Sequence, residues 1–112
     1  YQSRGLGDVY KRQFPASAQA KAGLEALARA FAAEMAGDNV PVNVVSPGYV
    51  QKDAGAHSAL TAEQFAEMSA RIPFGRLGAT DEVAAAIQFL LQPAAGYITG
   101  QVIHVDGGLN LA

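Results

Sequence analysis

Cysteine and tryptophan are both missing from the 112 residues, and histidine occurs only twice. Without thiols there is neither a disulfide framework nor a thiolate metal site, and His57 and His104 alone cannot complete a zinc shell, so no metal is expected. Charge is sparse too: Asp, Glu, Lys and Arg make up 16% of the chain, for a net of -2 with no block of one sign. Nucleic acids and anionic membrane surfaces call for clustered Lys and Arg, so neither is an expected partner. No apolar run approaches the roughly 18 residues of a membrane helix, and no signal-peptide pattern opens the chain. The expectation is a cytoplasmic protein whose length suits one domain.

What is present is aliphatic: half of the residues are hydrophobic, enough to build a core. The first thirteen residues, YQSRGLGDVYKRQ, show neither a helical nor a strand period and are expected to be a non-native or disordered tail. Residues 14–112 read as one domain. Pro15 suits a first helical turn, and Leu24, Leu27, Ala28, Phe31 and Met35 then recur at spacings of three and four as one apolar stripe. Gly37, Asp38 and Asn39 stop this helix, which is expected over about 15–36. Its many alanines permit close approach of a second helix, including one from another subunit.

Val40 to Val45, VPVNVV, reads as a strand covered on both faces, broken by Ser46, Pro47 and Gly48 at the carboxyl edge of a sheet. Residues 49–60 read as a mobile loop. Thr61 and Gln64 form a capping-box pattern that opens a short helix to about Arg71. Thr80 is expected to cap a further helix, with Asp81 and Glu82 in its first turn, Val83, Ile87, Leu90 and Leu91 on its buried face, and Pro93 closing it. Val102 to Val105 is a last strand, ended by Asp106, Gly107 and Gly108. Helix, strand, two helices and strand make a βαβ crossover with parallel strands. Two strands do not complete such a sheet, so the chain is expected to lack the strands that precede them.

Four segments occur in order: SAQAKAGLEALARAFAAEM, VPVNVVSPGYV, RIPFGRLGATDEVAAAIQFLL and YITGQVIHVDGG. Together they resemble the carboxyl-terminal half of the short-chain dehydrogenase/reductase family, over residues 14–112. The resemblance implies an α/β fold with a Rossmann-type doubly wound parallel sheet. It also implies an enzyme that uses NAD or NADP to move hydride to or from a carbonyl, alcohol or enoyl group of a small molecule, and a dimer or tetramer of identical subunits. The family's catalytic lysine falls on Lys21, where it binds the nicotinamide ribose and lowers the pKa of a tyrosine four residues earlier. Here that tyrosine is Ser17. An aliphatic hydroxyl is a much weaker proton donor than a phenol, whose pKa is near 10, although it can hydrogen-bond a carbonyl oxygen or relay through water.

The branch that reduces 2,4-dienoyl-CoA has such a serine, and RIPFGRLG is similar to the same branch. Pro47 and Gly48 match the family's turn beneath the nicotinamide, where Gly48 lets the backbone come close to the cofactor. The backbone of Val50 matches the carboxamide contact. Lys52 stands where the family usually has threonine near the pyrophosphate and could meet phosphate as a point charge. The glycine-rich phosphate loop of the family and its upstream serine and asparagine have no counterpart, so the 112 residues are expected neither to bind dinucleotide tightly nor to turn over. The alternative is a non-catalytic paralogue that binds dinucleotide or assembles subunits after losing the phenol to Ser17. His57, in the loop, is expected to face solvent, His104 to be packed or interfacial, and Tyr49 to line the pocket or act as a lid.

Overall fold

The structure, a computed structural model, describes residues 15–51 and 60–111. The expected tail over residues 1–13, Lys52 and His57 lie outside the described residues, as does the side chain of Ser17. The chain runs through helix α1 (Pro15–Met35), strands β1 (Val44–Pro47) and β2 (Val50–Gln51), helix α2 (Ala62–Arg71), strand β3 (Gly78–Ala79), helix α3 (Thr80–Leu90) and strand β4 (Val102–Val105). β1 and β4 pair in parallel, with Ser46 opposite His104 and Pro47 opposite Val105. β2 and β3 form a second, two-residue parallel pair. The architecture is α/β with crossover connections, as the order of elements implies.

α1 ends where a short 3-10 turn, Ala36–Asp38, hands over to Asn39 in the left-handed conformation at φ 60. Asparagine tolerates that conformation better than other non-glycine residues, so it makes an effective stop. The face of α1 that turns inward is not the leucine stripe. Ala32 is buried and Lys21, Glu25 and Ala28 are half-buried, at the helical spacings of four, three and four. Leu24, Leu27 and Phe31 remain 56%, 53% and 48% exposed. The small inward residues bring the helix close to the strands: a Cβ built on Gly100, just before β4, would lie 3.7 Å from that of Ala32.

The strand expected over Val40 to Val45 is displaced along the chain to Val44–Pro47. Ahead of Val44 the Gly100 N–H still donates to the Val42 carbonyl at 2.8 Å, and side chains make the remaining bonds. The Asn43 amide donates to the Ile98 carbonyl at 2.9 Å and accepts from the Gln101 N–H at 3.0 Å, while the Val42 N–H donates to the Thr99 hydroxyl at 3.0 Å. Pro47 does not break the ladder, because its phase makes no demand on its nitrogen. The donors to β4 are Val44, to Gln101 at 2.9 Å, and Gly48, to Val105 at 3.1 Å. These fall on the even-numbered residues, so the missing N–H of Pro47 points away from β4.

The capping box at α2 forms as its sequence implies. The Gln64 N–H donates to the Thr61 hydroxyl at 3.1 Å, and the Thr61 N–H donates to the Gln64 amide oxygen at 3.0 Å. α3 differs from expectation: Thr80 is its first helical residue, and Ala79, which has no side-chain acceptor, is the cap. Glu82 substitutes by accepting the Ala79 N–H at 3.0 Å, and Arg76 grips the same carboxylate with two bonds, at 2.8 and 3.0 Å. The expected buried face of α3 is largely open, with Ile87 and Leu91 exposed and Val83 and Leu90 half-buried. Ile87, Leu90 and Leu91 border an apolar groove of about 770 Å³ with Val42 and Val45. The buried cluster of the described residues is small: Ile72, Leu77 and Leu109, with Tyr49, Phe65 and Met68 packed against it.

Candidate functional site

The inward line of α1 delivers Lys21 to the carboxyl end of β1. Its Nζ donates to the Ser46 Oγ at 3.3 Å. Ser46 has no exposed surface and directly precedes the Pro47–Gly48 corner. Partial burial lowers the Lys21 pKa from 10.5 to about 8, against the carboxylate of Glu25 one turn further along α1, which raises it. At neutral pH the group is therefore still mostly an ammonium, placed where the strands of an open α/β sheet present ligands.

Ser46 is the participant that sequence reasoning missed. VPVNVVSPG gave it the role of strand breaker, and the one local signal was a hydroxyl in a β-branched run. Its bond to a lysine 25 residues away depends on how α1 crosses the strands. A serine beside a lysine is a pattern of nucleophilic catalysis, but with no exposed surface the Ser46 hydroxyl cannot reach a substrate. The contact is structural from the serine's side.

The Pro47–Gly48 corner lies against the turn that leaves β4. A Cβ on Gly48 would come within 2.7 Å of the Asp106 Cβ, so the glycine is required by protein packing here, independently of any ligand. Asp106 is committed to its own turn, accepting from the N–H groups of Gly108 at 3.1 Å and Asn110 at 3.0 Å. In β2, the N–H of Gly78 donates to the Tyr49 carbonyl while Gly78 sits opposite Val50. In a parallel ladder this turns the N–H and C=O of Val50 to the edge away from β3.

Tyr49, one of the phenols among the described residues, is half-buried on the Ile72, Leu77 and Leu109 cluster. Burial raises its pKa, against a hydrogen bond and the charge of Arg71, which lower it. A net rise is the opposite of what a proton donor working near neutral pH requires. His104 is exposed at a cavity of about 310 Å³ bordered by Arg76, Glu82 and Asp106, so it is not packed. Among the described residues no group of three His, Asp or Glu could hold a metal ion. No helix among them is long and apolar enough to cross a membrane.

Parallel strands joined by a helical crossover, with a lysine brought to their carboxyl edge, define a Rossmann-like α/β protein. The chain belongs to the short-chain dehydrogenase/reductase family: the family model described as enoyl-(acyl carrier protein) reductase matches residues 6–110. The chain is 44% identical over 94 residues to the 3-oxoacyl-[acyl-carrier-protein] reductase FabG of Escherichia coli K12, covering 84% of this chain and 38% of that protein. It is similar to the same degree to the Salmonella typhimurium FabG. A chloroplastic tropinone reductase homolog of Arabidopsis thaliana is 35% identical over 105 residues, covering 94% of this chain and 33% of the relative. The chain thus spans about two fifths of the length of the curated relatives that it matches.

Proposed function

We propose that this chain forms the nicotinamide-facing part of a cytoplasmic, homo-oligomeric NAD(P)-dependent oxidoreductase. The whole protein would reduce the 3-oxo carbonyl of an acyl thioester. The thioester substrate class is taken from relatives named 3-oxoacyl-[acyl-carrier-protein] reductase. The observation that carries the reading is the Lys21 amine, held 3.3 Å from Ser46 beside the Pro47–Gly48 corner.

The donor set suits a nucleotide sugar. An ammonium has three donor hydrogens, so a bond to Ser46 is compatible with donation to a ribose hydroxyl. The outward edge of Val50 suits a carboxamide, which needs one donor and one acceptor. Lys21 would hold the ribose, Val50 the carboxamide through its backbone, and Lys52 a phosphate, while Pro47 and Gly48 would form the floor of the site. NAD(P)H when bound supplies the hydride. Ser17, one helical turn before Lys21, would hydrogen-bond the carbonyl oxygen, with the proton delivered through water because its own hydroxyl is too weak an acid.

Weak binding is the expected outcome for the 112 residues alone, and saturation-transfer NMR reads weak binding directly. With NADP⁺ and the unsubstituted chain, the nicotinamide and its ribose should receive more saturation than the adenine. Lys21→Ala should abolish that preference. Transfer confined to the adenosine half, or unchanged by Lys21→Ala, would show that the ribose assignment is wrong.

A further inference from the structure

We propose that Ser46 is a positioning residue for Lys21, holding its amine at the carboxyl end of β1. The consequence for ribose binding rests on the function proposed above, whereas the pairing stands on geometry alone. Two departures from ordinary patterning meet at this contact. The inward line of α1 runs through Glu25, Ala28 and Ala32, yet carries a lysine at position 21. β1 is otherwise Val44, Val45 and Pro47, yet its one fully buried side chain is a hydroxyl. A buried hydroxyl requires a hydrogen-bond partner, and a long, flexible lysine on a helix flank ordinarily extends into water. At 3.3 Å each side chain accounts for the other.

Ser46 meets no substrate from its buried position, so its effect passes through the amine. Among the described residues, nearby titratable groups are few. Glu25 acts on Lys21 from the next turn of α1. On β4 and its exit stand His104, in register with Ser46, and Asp106, tied to Gly108 and Asn110. Removing the Ser46 hydroxyl should release the amine toward solvent, where the desolvation that holds its pKa near 8 is relieved.

The test is the pH dependence of Lys21 acylation by an amine-reactive reagent in the full 112-residue chain, followed by mass spectrometry with circular dichroism as the fold control. The unsubstituted chain should show a midpoint near pH 8. Ser46→Ala should move it up by about one unit or more. Ser46→Thr, which keeps the hydroxyl, should restore the original profile. A midpoint that stays or falls in Ser46→Ala overturns the proposal. An NOE between the Lys21 ε-methylene and the Ser46 β-methylene checks the contact without any substitution, and its absence would also overturn it. The saturation-transfer experiment separates the two readings. A shifted midpoint with no ribose contact keeps the positioning and discards the nucleotide assignment; the reverse combination does the opposite.

Discussion

At the scale of single residues, Gly48 and Lys21 illustrate how one position can serve the fold and the site together. The absent Cβ of Gly48 makes room for Asp106, with 2.7 Å to its Cβ and 3.0 Å to its Cα. One of those atoms is backbone, so relief requires the turn after β4 to move rather than a side chain to rotate. Gly48→Ala should therefore destabilise the chain by about 1–3 kcal/mol, the usual cost of overpacking, read as a lower urea midpoint at unchanged slope. An unaltered midpoint would mean that the two turns are not in contact. Lys21 has the other kind of double role: its place on the inward line costs solvation, and the same place brings its charge to the strand ends.

At the scale of elements, α3 begins on an ion pair rather than on a capping hydroxyl. The hydrogen bonds from Arg76, then the one from the Ala79 N–H, hold the Glu82 carboxyl down from 4.5 to about 2. A depressed folded-state value stabilises the fold fully above pH 4.5, and the contribution fades as the pH falls toward 2. Unfolding midpoints of the unsubstituted chain should thus drop across that window more steeply than those of Glu82→Gln, which carries no titrating group there. Parallel curves for the two proteins would rule out this clamp. Because both partners are exposed, the effect should shrink in high salt.

At the scale of the whole molecule, the described residues leave apolar surface open: Leu24, Leu27, Phe31 and Met35 along α1, and the groove beside α3. Surface of this kind drives association. Sedimentation of the unsubstituted chain should show concentration-dependent association, and Leu27→Glu combined with Phe31→Glu should reduce it. Equal behaviour of the two would separate the α1 stripe from any subunit contact.

The elements were readable from the sequence because their causes are local. The Thr61–Gln64 capping box, the Asn39 stop, the βαβ order and the parallel strands each follow from residues a few positions apart, and the four motif segments point to the family. Nothing local distinguishes the leucine stripe of α1 from its alanine line as the inward face, because both repeat at helical spacing. The strand boundary at Val44 depended on Asn43 meeting Ile98 and Gln101, and Val42 meeting Thr99, across more than fifty residues, and the partner of Lys21 on a serine 25 residues downstream. Propensity and periodicity act within a turn or a strand, so they determined which elements form. Which face turns inward, and which buried hydroxyl meets which amine, was decided only when distant segments packed together.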